Sequence, residues 1–278
     1  MNNGFVETGL SRRVAEWVRH GDPTILLLYG PAGSGKTVTV RHVAAQCGRP
    51  VFWVSATRGT NLELLFGLWT LRPTPNGTET FFEEGILLRG LLTPGALLVL
   101  DDAHLVAPDL QILNGLGDSS RELTVPARGR TYPIAEGVCL VLIANPPPRT
   151  VASWERERWL IPEQIRDRAR VIQTFDALTL DEEFAIARLY FPEDCPDEIV
   201  RGVVELARNL RSNSVLSSYA PSLRSVVILG KLMRQGLGLG EAYLEAIAYK
   251  FDGSDEFAVA IEAFVAKFGM DPREKKGG

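Results

Sequence analysis

The run Gly30-Pro31-Ala32-Gly33-Ser34-Gly35-Lys36-Thr37 fits G-x-x-x-x-G-K-[ST] at every fixed position. It follows the apolar stretch 24–29 (TILLLY) and precedes a helical pattern over 38–47. Glycines at this spacing let the backbone curl until successive N–H groups face one point, and the helix behind them adds its positive N-terminus. A chain of phosphates is what such a cradle holds. Lys36 is placed to reach the β- and γ-phosphates, and the Thr37 hydroxyl to meet Mg²⁺. The pattern predicts binding of a nucleoside triphosphate.

Further candidates stand at the ends of two other apolar runs. Asp101-Asp102 closes 96–100 (ALLVL). An acid there can hold Mg²⁺, which suits Asp101, and the next can polarise an attacking water, which suits Asp102. Asn145 closes 138–144 (VCLVLIA), where a neutral amide can orient water against a phosphate. Arg166, Arg168 and Arg170 crowd the segment after Pro162. A solvated basic face is the ordinary reading of such a cluster. The functional one is a guanidinium reaching the terminal phosphate of a neighbouring subunit. Arg224, at a helix start, could contact the same phosphate from its own subunit. His104, in Asp-Asp-Ala-His, is expected at the surface or in a cap.

These residues need strands to carry them. Apolar strand patterns at 24–29, 50–55, 96–100, 138–144 and 171–175 alternate with helical ones at 10–20, 38–47, from 61, 83–92 and 108–116, and from 162 through the arginine cluster. The alternation implies an α/β fold with a parallel, doubly wound sheet. Two stretches break it as hairpins: 68–82, with Asn76-Gly77 as the turn signal, and 122–133, turning near 127–129. After 178 only helical patterns follow, at 180–190, 196–211, 222–235, 240–250 and 256–268. The expected organisation is a nucleotide-binding domain over 1–178, a helical lid domain over 179–270 and a disordered tail over 271–278.

Composition narrows the class. The 278 residues are 45% hydrophobic and 23% charged, ordinary values for a soluble globular chain. No apolar run approaches the roughly 18 residues that span a bilayer, and the N-terminus lacks the basic-then-apolar layout of a signal peptide. A cytoplasmic protein without a membrane partner is expected. Three cysteines, Cys47, Cys139 and Cys195, are too scattered for a disulfide framework or a zinc site. A net charge of −4 argues against a large basic nucleic-acid surface. Arginine outnumbers lysine 24 to 6, which hints at a GC-rich bacterial genome and not at function.

In order and spacing, 30–37, 97–102, 142–146, 162–168 and 221–224 resemble an AAA+ ATPase. More narrowly, GRTYPI before VCLVLIANP, with IPEQIRDR behind it, is similar to the MoxR group. That group includes the Q-type activators of rubisco and nitric-oxide reductase and the gas-vesicle N-type proteins. The opening RVAEWVRHGDPTILLLYGPAGSGKT looks most like the last of these. The resemblance covers about residues 8–235 and implies a ring, usually a hexamer, with ATP and Mg²⁺ between subunits. It assigns Asn145 to the sensor-1 position, Asp167-Arg168 to the arginine finger and Arg224 to sensor 2. It also turns both hairpins toward the pore or one ring face, where Trp69, Phe81 and Phe82 could touch a client or pack within the hairpin. Many relatives work with a von Willebrand A domain partner. One departure is that the family usually has Asp-Glu where this chain has Asp101-Asp102, so modest turnover is expected. The function implied is ATP-driven remodelling of a protein client. The rivals are a DNA-associated loader, motivated by the arginines, and a scaffold that binds ATP to assemble.

Overall fold

The computed structural model describes residues 4–147, 152–174, 178–213, 216, 219–251 and 253–274. Pro148, Phe175 and residues 275–278, which belong to the expected strand stop, last strand and tail, lie outside them. The chain divides into two compact units, Leu10–Pro31 with Lys36–Phe175, and Asp176–Gly278 with Met1–Gly9 and Ala32–Gly35.

The first unit is built on β1 (Ile25–Tyr29), β2 (Val51–Ser55), β5 (Leu97–Asp101), β8 (Cys139–Ala144) and β9 (Ala169–Gln173). Among the described residues these pair in the order β2-β5-β8-β1-β9, and every pairing is parallel. The central strands β1, β5 and β8 are apolar because both of their faces are covered. Their period-2 alternation divides the core in two. Ile25, Leu27, Leu98, Leu100, Leu140 and Leu142 join one cluster, together with residues of α3 (Leu62–Phe66) and α4 (Ile86–Leu91). Leu26, Leu28, Leu97, Val99, Val141 and Ile143 face the other, against Val14 and Trp17 of α1 (Gly9–His20) and Val40 and Val43 of α2 (Lys36–Gln46). Removing a side chain from such a site costs about 2–5 kcal/mol, so the strands are firm supports for what stands at their ends.

The hairpins form as β3 (Gly67–Thr74) with β4 (Gly77–Glu84), and β6 (Glu122–Val125) with β7 (Arg130–Pro133). Thr74 pairs with Gly77, so the two-residue loop is Pro75-Asn76, and Gly77 already opens the return strand. Three expectations are corrected. The helix expected over 108–116 is a 3₁₀ helix, Ala103–Leu116, broken at Val106 (φ −121°, ψ 23°), two residues before Pro108, which has no N–H to donate. The helix resuming near 83 starts only at Ile86, because β4 extends through Glu84. The arginine cluster does not share one helix: α6 (Glu163–Arg168) follows α5 (Ser153–Arg156) and a 3₁₀ turn (Glu157–Trp159), and Arg170 lies on β9.

The second unit contains α7 (Leu180–Arg188), α8 (Asp197–Ser212), α9 (Leu223–Arg234), α10 (Leu239–Ala246) and α11 (Ser254–Phe268). Thr179 and Glu182 close a capping box at the start of α7. Buried Glu183 accepts from Arg211, whose Nε donates to the Pro221 carbonyl, so α7 and α8 together set the entry to α9. Arg224 sits exposed in the first turn of α9.

Candidate functional site

The loop that leaves β1 starts in a tight place. A Cβ on Gly30 would stand 2.2 Å from the Thr174 hydroxyl, beyond the end of β9, so only glycine fits. Gly35, at φ 84°, takes a left-handed backbone that lets the chain turn into α2, and open space lies beside it. Lys36 follows and is 4% exposed. Its Nζ donates to the carbonyls of Gly30 and Pro31 and to Oδ1 of Asn145, each at 2.8 Å.

The strand order explains this meeting. β5, β8 and β1 are consecutive neighbours, roughly 4.8 Å apart, and all point the same way. Tyr29 pairs with Ala144 in register, so Gly30 and Asn145 leave the sheet side by side, and the Gly30 N–H donates to the Ala144 carbonyl at 3.2 Å. Asp101, last in β5, lies one strand further on and accepts from Thr37 Oγ1 at 3.1 Å. Residues that are 64 and 109 positions apart in the chain thereby share one site at the carboxyl ends of the strands.

The chemistry of Asn145 sets how its amide lies. An ammonium only donates, so Oδ1 must face Lys36, which leaves Nδ2 for an acceptor. Nδ2 points at Asp102 Oδ1, 3.4 Å away. A neutral carboxamide is thus the bridge between a cation and an anion; a carboxylate there would repel Asp102. Asp102 itself has φ 55° and ψ 35°. Asp and Asn tolerate this left-handed region far better than longer side chains, a local reason for aspartate at this place.

Burial holds the Asp101 carboxyl above its ordinary range, against the lowering effect of the Thr37 hydroxyl. A buried carboxylate beside a hydroxyl and a second acid suits a divalent cation, which would relieve that burial cost. The residues present therefore fit Mg²⁺ with a phosphate chain. Thr37 and Asp101 would hold the metal, and the loop and Lys36 the phosphates.

His104 corrects the expectation of a surface or capping residue. It is 5% exposed, its Nδ1 accepts the Asn145 backbone N–H at 3.2 Å, and its ring stacks on Trp159 with centroids 5.1 Å apart. It stands two residues past the left-handed Asp102, in the first turn of the 3₁₀ helix Ala103–Leu116. A single polar residue within apolar AHLVA, just behind the acids, was the available signal.

Of the three clustered arginines, Arg166 and Arg170 are exposed. Arg168 is braced within its own unit: Nε donates to Asp118 Oδ1 at 2.7 Å, and Nη1 to the Gln164 carbonyl at 3.0 Å. Its stem lies against Gly117, where a Cβ would come within 2.6 Å of Arg168 Cβ. With the two side chains of the ion pair 31% and 44% exposed, the pair is worth at most about 1 kcal/mol. The hairpin aromatics pack on their surroundings. Trp69 donates from Nε1 to the Ala127 carbonyl at 2.8 Å and meets Phe82 edge-on, and Arg72 covers Phe81. Leu68, Trp69 and Leu71 remain exposed. No described helix is long and apolar enough to cross a membrane.

Residues 25–160 match the family model described as an AAA domain of the dynein-related subfamily. An uncharacterised protein of Staphylococcus saprophyticus is 31% identical over 122 residues, which are 43% of this chain and 46% of that one. Midasin of Giardia intestinalis is 33% identical over 122 residues, 44% of this chain and 2% of its own length. Protein NorQ of Paracoccus denitrificans is 28% identical over 227 residues, covering 78% of this chain and 76% of its own. The chain spans less than half the length of the first two.

Proposed function

We propose that this chain is an AAA+ ATPase of the dynein-related, MoxR type, which assembles as a ring, hydrolyses ATP and remodels or activates a protein client. The observation that carries the reading is the bridge Lys36–Asn145–Asp102 beside the pair Thr37–Asp101, which gathers a cation, a neutral amide and two acids from three adjacent strand ends. That is what phosphoanhydride hydrolysis requires: charge to neutralise the phosphates, a metal site, and polar groups to aim a water.

Mg-ATP, when bound, supplies the anhydride and the Lewis acid. Gly30 to Thr37 bind it, and Lys36 exchanges the Asn145 amide for a phosphate acceptor. That exchange frees Oδ1 of Asn145 to orient a water. Asp102 is the group that polarises this water, and Thr37 and Asp101 hold the metal. Arg168 completes the pocket of a neighbouring subunit, and Arg224 acts from the 179–270 lid domain that follows the 1–178 nucleotide-binding domain in sequence. The exposed Leu68, Trp69 and Leu71 are the surface offered to a client, and a von Willebrand A domain protein is the partner to seek first.

The test compares wild type, Lys36→Ala and Arg168→Ala for nucleotide binding, turnover and particle size with and without ATP. Lys36→Ala should lose nucleotide and ring together. Arg168→Ala should bind nucleotide and stop hydrolysing. A wild type without ATP turnover refutes the reading. So does a partner screen that recovers only nucleic acid, the outcome a DNA-associated ATPase would give; the relatives found do not favour that alternative.

A further inference from the structure

The Asn145 side chain spans Lys36 and Asp102, and both of those contacts serve phosphate chemistry. Its backbone N–H has another partner. The β5–β8 register ends at Leu100↔Leu142 and the β1–β8 register at Tyr29↔Ala144, so this half-buried amide lies beyond both ladders and takes its acceptor from elsewhere. His104 supplies one through Nδ1 at 3.2 Å. Accepting at Nδ1 requires a neutral ring with its proton on Nε2, and burial lowers the imidazole pKa in the same direction. The ring has little freedom to leave. It is 5% exposed and stacked on Trp159, and the Arg58 guanidinium lies 5.6 Å from the Trp159 centroid.

We propose that His104 is a positioning residue for ATP hydrolysis, anchoring the Asn145 backbone so that its carboxamide is aimed between Lys36 and Asp102. The proposal rests on the reading of Asn145 given above. A histidine that merely fills the core would need neither an acceptor at Nδ1 nor that atom's direction toward Asn145. His104 touches no reacting group; it acts by positioning Asn145.

Two substitutions separate anchoring from packing. In His104→Asn, Oδ1 lies one bond beyond Cγ, as Nδ1 does, and keeps an acceptor near the same place. His104→Leu keeps apolar bulk and removes the acceptor. The experiment uses the full chain and three readouts: kcat and KM for ATP, affinity for a fluorescent ATP analogue, and hydrogen exchange at the Asn145 amide without nucleotide. A displacement near 1 Å can cost on the order of a hundredfold in rate, so His104→Leu should lower kcat by about 10- to 100-fold with analogue affinity nearly unchanged. The Asn145 amide should exchange faster in that variant. His104→Asn should recover both properties.

The proposal is overturned if His104→Leu keeps kcat within about threefold of wild type, or if its Asn145 amide stays as protected as in wild type. Should His104→Leu fail to fold, His104→Asn decides alone: kcat below roughly a tenth of wild type refutes the anchor. A wild type that hydrolyses no ATP sinks the functional reading instead. The exchange measurement on nucleotide-free protein then still judges the anchor by itself.

Discussion

Asn145→Ala removes one of the acceptors that hold a buried ammonium. Lys36 is 4% exposed, so its Nζ cannot turn to bulk water when Oδ1 at 2.8 Å disappears. A hydrogen bond to a charged group contributes about 1.5–3 kcal/mol, and the 3.4 Å contact from Nδ2 to Asp102 adds little. The nucleotide-free variant should therefore lose on the order of 2–3 kcal/mol. At roughly 2–4 °C per kcal/mol for a domain of this size, its Tm should fall by about 5–10 °C. Mg-ADP changes the comparison, because phosphate oxygens give Lys36 an ionic acceptor that does not depend on Asn145. Scanning calorimetry with and without saturating Mg-ADP should show the deficit narrow when nucleotide is present. A variant within about 2 °C of wild type without nucleotide would refute the reasoning, as would an equal deficit in both conditions.

Asp102→Glu puts a longer side chain on a left-handed backbone, at φ 55°, and should lower stability by about 1 kcal/mol while changing kcat less than about tenfold. A larger rise in kcat would show that aspartate detunes the site. Gly117→Ala has permitted angles (φ −93°, ψ −1°), but its new methyl would fall 2.6 Å from Arg168 Cβ. Turnover should drop with ATP affinity kept, and stability should fall by about 1–3 kcal/mol; unchanged kcat at wild-type stability would dismiss Arg168 as the finger. Burial raises the Asp101 pKa above its ordinary 3.8, so the folded state disfavours the ionised carboxylate. Nucleotide-free protein should lose stability as pH rises from 3.8 through that raised value. Asp101→Asn should lack this loss and melt higher than wild type at pH 7. A lower Tm for Asp101→Asn would contradict the assigned cause.

Much of the architecture was legible in the residues alone. A phosphate loop is a contiguous device: strand, glycines, lysine, threonine and helix follow one another, and neighbouring residues constrain each other's backbone directly. The same holds for apolar runs such as 138–144, whose lack of alternation announces a strand covered on both faces, and for Asp101 and Asn145, which mark where such runs stop. Pro108 is equally visible, but its position suits the first turn of a helix as well as the interior of the 3₁₀ helix 103–116 in which it stands.

What local pattern does not contain is which strand lies beside which. The order β2-β5-β8-β1-β9 is a property of the assembled sheet, and it alone puts Asn145 between Lys36 and Asp102. Arg168 stands out among its neighbours in sequence, yet its partner Asp118 lies 50 residues away and belongs to no motif. Nothing adjacent to His104 reveals the N–H, 41 residues on, that its ring accepts. Sequence thus determined the backbone pieces and the chemical types at their ends, through forces acting over a few residues. Tertiary structure decided which polar atoms meet, because burial obliges each donor to find its acceptor wherever the folded chain has brought one.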